Sequence, residues 1–460
     1  MLINFSTIKK VYIIGIKGSG VVGVAQILNQ KGKEVLGSDT QEKFFTDEIL
    51  KEEGIQYFEK FSPSNVPADA DLVIYSTAYN EENNVEFKKA KEEGFLMASY
   101  PEVLGALFEE KYGIAVAGTH GKTTTSALLA HVLEKCGTDP SAVIGSRVTK
   151  WQGSALAGQG EYFVIEADEY QNKFQYYNPK AIILTSLDFD HPDFFADFRE
   201  YKKVFIDFVM KLPAGGFLVV WGDSTDTLEV ATNCKAKVIS YGLGPENDFR
   251  ISNIQTTSKE QFFEVSLKNK FLGKFKINLF GKHNVLNATA VIATCHRLGM
   301  DLEKVREALG NFQGTARRFE YIGEQNGAIL IDDYGHHPEE LKATLKAARE
   351  IYPEKNIWAV FHPHSFSRTE ALLQDFSQSF ADANKVIVLD IYGSARENKG
   401  NISSEDLVKL INKYDRDKAQ HIATIPEVVE FLQDKIGEND VVITIGAGNV
   451  FEVAQKLKEK

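Results

Sequence analysis

The sequence predicts an α/β chain of three successive units, each a mostly parallel sheet with helices between its strands. Three observations carry this expectation. Short apolar runs alternate with helical patterns along the chain, which argues for parallel strands joined by helical crossovers. Many of these runs end in glycine or in a polar cluster, where open parallel sheets place their binding crevices. The length of 460 residues suits about three domains at ~150 residues each.

The first unit opens with Val11-Tyr-Ile-Ile-Gly-Ile, an apolar run that ends in glycines and leads into a helical pattern to about Lys31. Further apolar runs follow at 34–37 and 72–77, and the unit ends near Lys111 after a helical stretch from about Pro101 to Glu110. A second unit begins with the run Gly113 to Ala117, a glycine-bearing loop and a helix from about Lys122 to Lys135. Buried strands are expected at 162–167, 181–187 and 217–221. From about Asp248 to Phe280 the pattern turns to alternation, as in Phe262-Phe-Glu-Val-Ser-Leu and Phe275-Lys-Ile-Asn-Leu-Phe, which predicts a few antiparallel strands before a helix beginning near Asn284. The third unit starts around Phe319, with runs at 328–331, 357–361, 386–390 and 441–445. The expected domains are therefore 1–111, 112–318 and 319–460.

Composition narrows the function. Hydrophobic residues at 43% and charged residues at 25% are a globular balance. A net charge of −12 with no dense basic run argues against nucleic acid as a partner. No apolar run approaches the ~20 residues of a membrane span, and the N-terminus lacks a secretory pattern. Cys136, Cys234 and Cys295 are far apart, show no metal-type spacing and read as reduced core thiols. A cytoplasmic protein with no membrane partner is expected.

Two glycine loops carry the chemistry. The first, Gly15-Ile-Lys17-Gly18-Ser19-Gly20-Val-Val-Gly23, follows a strand and opens a helix. Glycines let the backbone approach a diphosphate, and helix amides supply positive dipole ends. Asp39 lies about 20 residues on, at the place of a ribose-binding acid. This loop alone leaves a dinucleotide, another nucleotide diphosphate and plain tight packing open. The second loop is Gly118-Thr119-His120-Gly121-Lys122-Thr123-Thr124, again between strand and helix, with Val116 in place of a phosphate loop's first glycine. Its amides can cradle phosphates, Lys122 can reach the terminal oxygens and the Thr123 hydroxyl can ligate Mg²⁺.

A phosphate loop needs metal ligands elsewhere. Glu166-Ala-Asp168-Glu169 and Asp188-Phe-Asp190-His191 each end an apolar run, so Glu166 and His191 are candidate Mg²⁺ ligands, while Asp193 reads as a cap or solvated turn. Further polar clusters are Gly281-Lys-His283-Asn284-Val-Leu-Asn287 at a helix start, Asp332-Asp333-Tyr334-Gly335-His336-His337, and His362-Pro-His364-Ser-Phe-Ser-Arg368-Thr369. An asparagine at a helix start is an ordinary cap and can also read an adenine edge. Polar clusters at several strand ends of the last unit point to a site there.

In this order, and together with Arg317-Arg318-Phe319, these motifs resemble the Mur ligase family over nearly the whole chain. The resemblance implies three domains: a Rossmann-like N-terminal domain for a UDP-sugar, a central P-loop ATPase domain with a mostly parallel sheet plus a small antiparallel one, and a Rossmann-like C-terminal domain. It is strongest to the member that uses ATP to join L-alanine to the carboxylate of UDP-N-acetylmuramate through an acyl phosphate, in peptidoglycan precursor synthesis. The implied partners are these two substrates, with ATP and Mg²⁺ as cofactors, and a monomer or weak homo-oligomer is expected.

The resemblance also assigns residues. Gly18, Ser19 and Gly20 would cradle the UDP diphosphate, with Asp39 and Ser76 near the uridine or sugar. Gly118 to Thr124 would hold the ATP phosphates, with Lys122 on the transferring one. Thr123 and Glu166 would ligate one Mg²⁺, and Glu166 with His191 a second. His283, Asn284 and Asn287 would face the adenine, Asp333 the ribose and Arg318 the phosphates. Tyr334, His336 and Arg368 would line the amino-acid and muramoyl end, with His336 a candidate base. Lys17 stands where the family usually carries glycine, a cation that could assist the diphosphate. Glu169-Tyr170-Gln171 is similar to the murein tripeptide ligase of cell-wall recycling, which is the runner-up reading. A nicotinamide-dependent oxidoreductase would leave the second loop without a task, and a nucleotide switch would leave the first.

Overall fold

The computed structural model describes residues 3–151, 153–393 and 400–459. Its strands form three sheets. In the first, β1 (Lys10–Ile14), β2 (Glu34–Ser38), β3 (Gln56–Phe58), β4 (Leu72–Tyr75) and β5 (Met97–Ser99) run parallel in the order β3-β2-β1-β4-β5. The order reverses between β1 and β4, so the loops after these two strands flank a crevice. Val11 to Ile14 are fully buried, as expected of a parallel strand covered on both faces.

The next strands are β6 (Tyr112–Ala117), β7 (Ser141–Val148), β8 (Gly153–Ala157), β9 (Tyr162–Glu166), β10 (Ala181–Leu184), β11 (Phe217–Trp221) and β12 (Lys237–Gly242). They lie in the order β12-β11-β10-β6-β9-β7-β8, parallel except for the β7–β8 hairpin. β6 sits between β9 and β10, so the loop after β6 meets the ends of both. β13 (Phe249–Thr256) starts parallel to β12. β14 (Gln261–Leu267) and β15 (Lys270–Ile277) form the antiparallel hairpin that the alternation predicts, with Phe263 opposite Phe275 and both buried.

The last sheet comprises β16 (Glu320–Gln325), β17 (Ala328–Asp333), β18 (Asn356–Phe361), β19 (Lys385–Val388), β20 (Ala419–His421) and β21 (Asp440–Ile445). Its order is β16-β17-β21-β18-β19-β20, parallel except for β16. Two apolar clusters cover its faces, one around Phe361, Phe376 and Leu345, the other around Val360, Leu432 and Leu457.

By packing, the chain divides into two compact units. Unit 1 comprises residues 1–187, 202–250 and 288–315; unit 2 comprises 188–201, 251–287 and 316–460. The expected boundary near residue 111 falls inside unit 1. Among the described residues no helix is long and apolar enough to cross a membrane.

Candidate active site

In unit 1 the first glycine loop turns out of β1 into the helix Ser19–Gln30, with Gly18 at its N-cap. Gly15 is left-handed at φ 78°, and a Cβ there would strike Tyr79 and Ser76, so only glycine fits. Ser76 is buried at the end of β4, across the crevice from this loop. Asp39 is buried at the end of β2, and its carboxylate accepts the amides of Lys17 at 2.7 Å and Thr40 at 2.8 Å. Burial pushes its pKa up, against those two bonds.

Lys17 does not turn its cation toward the loop's anion position. Its Nζ donates to the carbonyls of Thr40 at 2.9 Å and Glu42 at 3.0 Å, and pairs with Asp47 at 2.9 Å. The Thr46 hydroxyl donates to the Lys17 carbonyl at 2.6 Å. Where the sequence offered a cation to assist the diphosphate, the structure uses it to fasten residues 40–47.

The second loop joins β6 to the helix Lys122–Lys135, with Gly121 left-handed at its N-cap. A Cβ on Gly118 would come within 2.2 Å of Thr185 Oγ1, so the loop lies directly on the residues after β10. Thr119 N donates to Ser186 O and His120 N to Ser186 Oγ, which fixes the loop's backbone. Lys122 Nζ donates to Gly118 O at 2.5 Å, Thr119 O at 3.1 Å and Glu169 Oε2 at 3.0 Å. Burial works against this charge, but Glu169 and the acids beside it outweigh burial and raise the pKa.

Glu166, at the end of β9, accepts the Thr123 hydroxyl at 2.8 Å and the Gly145 amide at 2.7 Å. A hydroxyl and a carboxylate at this spacing are hard oxygen donors of the type Mg²⁺ takes, so this pair fits the metal. Thr124 is buried in the same first helical turn.

In unit 2, Asp190 and Arg368 form a buried ion pair, and His191 N donates to Asp190 Oδ1 at 2.7 Å. Burial alone would raise the Asp190 pKa; Arg368 and the neighbouring histidines hold it far below the usual carboxylate range. Arg368 Nη1 faces His364 Nδ1 at 3.5 Å, and the His364 ring lies 6.3 Å from that of His336. His336 Nδ1 lies 3.2 Å from Tyr334 O, and its amide donates to Glu340. Burial, helped by Arg368, lowers the His336 pKa to about 4, so the imidazole is neutral at pH 7.

Asp333 ends β17 with its two carboxylate oxygens accepting the amides of Gly335 at 2.8 Å and Phe319 at 2.9 Å. Burial pushes its pKa up to about 6, against the pull of Arg318. Arg318 lies over the Tyr334 ring at 5.3 Å and 3.7 Å from Glu340. In the helix Lys282–Arg297, Asn284 donates to Phe280 O at 2.7 Å and Asn287 donates to Asn284 Oδ1, while His283 is exposed.

The structure thus gathers Lys122, Thr123 and Glu166 at one set of strand ends in unit 1, with Gly18 to Gly20, Asp39 and Ser76 at another. It gathers His191, Tyr334, His336 and Arg368 in unit 2. Sequence reasoning assigned nothing to Glu169, Asp190 or Glu340, the carboxylates that hold Lys122, Arg368 and the His336 backbone. For the first two the signal is present, since each lies within a strand-end motif, Glu166-Ala-Asp168-Glu169 or Asp188-Phe-Asp190-His191.

Three family models match in order: "Mur ligase family, catalytic domain" over residues 10–112, "Mur ligase middle domain" over 116–295, and "Mur ligase, glutamate ligase domain" over 317–448. A UDP-N-acetylmuramate–L-alanine ligase of Desulfitobacterium hafniense is 41% identical over 97% of this chain and 99% of its own length. Among solved structures, the UDP-N-acetylmuramate–alanine ligase of Thermotoga maritima superposes with a TM-score of 0.83 at 26% identity, covering 98% of each chain. The UDP-N-acetylmuramate:L-alanyl-γ-D-glutamyl-meso-diaminopimelate ligase of Neisseria meningitidis is 31% identical with a TM-score of 0.61, over 68% of this chain and all of its own. With both glycine loops and the strand-end acids in place and this likeness running end to end, the chain belongs to the Mur ligase family.

Proposed function

We propose that the protein is an ATP-dependent ligase that joins L-alanine to the carboxylate of UDP-N-acetylmuramate, a step in peptidoglycan precursor synthesis. The observation that carries this reading is the Thr123–Glu166 pair at the head of the Lys122 loop, in a chain whose 41%-identical relative bears that activity in its name. A carboxylate and an ammonium do not condense in water, so the carboxylate must first be activated. ATP, when bound, supplies the phosphoryl group that makes it an acyl phosphate.

The residues of this chain have separable tasks in that reading. The loop Gly118 to Thr124 holds the phosphates, and Lys122 exchanges Glu169 for phosphate oxygens, countering charge that spreads in the transition state. Thr123 and Glu166 would hold Mg²⁺, with His191, which closes the strand-end run Asp188-Phe-Asp190-His191, as a further ligand. Gly18, Ser19 and Gly20 take the UDP diphosphate on helix amides, with Asp39 and Ser76 toward the uridine or sugar. His283, Asn284 and Asn287 take the adenine, Asp333 the ribose and Arg318 the phosphates. Tyr334, His336 and Arg368 serve the amino-acid end, with His336 the candidate base; its pKa of about 4 keeps it neutral but makes it a weak acceptor for the alanine ammonium proton. The functional division follows residues 1–111, 112–318 and 319–460.

A second reading, ligation of the tripeptide L-alanyl-γ-D-glutamyl-diaminopimelate, is favoured by Tyr170 and by the likeness to the Neisseria protein. Product masses after incubation with ATP, UDP-N-acetylmuramate and each acceptor decide between the two. The alanine adduct is expected fastest. Glycine should be slower by about 1 kcal/mol of transition-state binding, the worth of one methyl group. A tripeptide adduct that forms faster than the alanine adduct would replace the acceptor and keep the chemistry.

A further inference from the structure

The segment after β9 contains a buried lysine to which neither loop's chemistry gives a task. Gln171 and Asn172 are both left-handed, at φ 56° and 51°, a conformation that side-chained residues hold only when their surroundings enforce it. The enforcement comes from Asp168 and Glu169. Asp168 accepts the Tyr170 amide at 3.0 Å and pairs with the Lys173 ammonium, and Glu169 O accepts the Asn172 amide at 2.9 Å. The Lys173 side chain is 8% exposed, and its Nζ lies 5.7 Å from the centre of the Tyr100 ring and 5.4 Å from that of Tyr170.

Tyr100 opens the helix Tyr100–Glu109 behind a capping box of Ser99 and Glu102, so its backbone is firmly placed. Its ring rests on the first glycine loop: a Cβ on Gly20 would lie 2.8 Å from Tyr100 Cε2. On its other side Lys173 is tied to the acid segment that holds the second loop, since Glu169 bonds Lys122 and Glu166 bonds Thr123. Unit 1 therefore contains one run of ionic, cation–π and packing contacts from Lys122 through Glu169, Asp168, Lys173 and Tyr100 to Gly20.

We propose that Lys173 is a positioning residue that couples the two glycine loops, so that filling the phosphate loop tightens the first loop's hold on the sugar nucleotide. Phosphates that draw Lys122 off Glu169 change the charge balance of the Glu166–Glu169 segment. A buried ammonium paired with Asp168 cannot be left behind when that partner shifts, because an unpaired buried charge is strongly unfavourable. Any displacement of Asp168 is therefore passed to Lys173 and so to the Tyr100 ring, and Gly20 has no side chain to absorb it. The coupling is reciprocal by linkage. It rests on the reading of the two loops proposed above.

Calorimetric titration of UDP-N-acetylmuramate into the full chain, with and without Mg²⁺ and a non-hydrolysable ATP analogue, tests it. The wild type should bind the sugar nucleotide about five-fold tighter or more when the analogue is present. In Lys173→Met this gain should fall below about two-fold, while Lys173→Arg, which keeps the charge and the ring contacts, should retain most of it. The analogue's own affinity, measured without sugar nucleotide, should be unchanged in Lys173→Met, a result that general damage to the fold would not give. If Lys173→Met does not fold, Tyr100→Leu removes the ring from Gly20 and should abolish the gain equally. A wild-type gain retained in either folded variant, or no gain in the wild type, overturns the coupling. A wild type that binds no UDP-N-acetylmuramate at all would instead overturn the reading of the loops, and the coupling with it.

Discussion

Arg368 Nε donates to Asp190 Oδ1 at 2.9 Å, and Nη2 of the same guanidinium lies 2.9 Å from that oxygen. Both side chains are more than nine-tenths buried. Arg368 is thus a support for the residues around His191, whatever it does for the amino-acid carboxylate. Truncating one partner leaves the other charged and buried, so Arg368→Ala should lose about 3–5 kcal/mol of stability. Asp190→Ala should lose a similar amount, and the double variant far less than the sum. Urea unfolding midpoints measure all three, and additive losses would show that the pair is not coupled.

Lys122→Ala should abolish turnover while leaving the affinity for UDP-N-acetylmuramate in the absence of ATP nearly intact. The reason is that Lys122 is bonded to its own loop and to Glu169, not to the first glycine loop. Calorimetry with the sugar nucleotide alone checks this. Equal loss of both affinities would mean that the two loops do not serve separate ligands.

Glu166→Gln should raise the Mg²⁺ concentration needed for half-maximal rate by roughly ten-fold or more, because a charged hard ligand becomes a neutral one. Thr123→Val, which removes the hydroxyl 2.8 Å from Glu166, should act in the same direction. Mg²⁺ titrations that superimpose on the wild type would refute the metal assignment.

Much of this site is legible in the sequence because its chemistry restricts residue type. Only glycine fits where Gly15 turns left-handed against Ser76 and Tyr79 and where Gly118 closes on Thr185, so both loops announce themselves. The hairpin β14–β15 is legible because one of its faces is buried, as the alternation around Phe263 and Phe275 records. What stays hidden is pairing across distance. Lys17 looks like an anion ligand until Asp47, thirty residues on, is found to hold it, and nothing local tells Arg368 that Asp190 is its partner. The strands Gln56–Phe58, Met97–Ser99 and Ala419–His421 also escape, since three residues are too short for a periodicity.

Lys17→Met should loosen residues 40–47 and weaken binding of UDP-N-acetylmuramate without changing the rate at saturation. The ammonium is enclosed, with 1% of the side chain exposed, and its loss takes a donor from two carbonyls and the cation from Asp47, which keeps the Phe44 amide and the Tyr57 hydroxyl. Because Asp47 keeps two donors and is 16% exposed, the loss should fall below the about 3–5 kcal/mol of a fully buried, unpaired charge. The expected signature is faster proteolysis within 40–47 and a raised KM for the sugar nucleotide at constant kcat. A fall in kcat at unchanged KM would place the role of Lys17 elsewhere.

Acid should destabilise the protein through its buried histidines, and His362 gives the clearest handle. Its ring is buried just after β18 beside Gly446 and Tyr392, and burial lowers its pKa from 6.5 to about 4. In the unfolded chain it takes a proton near 6.5; in the folded chain it does so only near 4. Between these values the unfolded state binds more protons, so this contribution to stability is complete above pH 6.5 and is lost progressively as pH falls toward 4. His336 acts in the same sense, also with a pKa of about 4. Asp333 opposes them: its pKa of about 6 means the folded state takes the proton first, so its contribution fades as pH rises toward 6. Asp39, whose pKa burial also raises, opposes them in the same sense, so the histidine share is read from a variant and not from the total. Urea midpoints of wild type and His362→Gln at pH 6.5 and pH 5 isolate the His362 share. The variant should lose about 1.5 kcal/mol less than the wild type over that interval, since the unfolded histidine is only half protonated at its start and the slope approaches 1.36 kcal/mol per pH unit below it. Parallel pH dependences in the two proteins would show that His362 is already protonated in the folded state at pH 5.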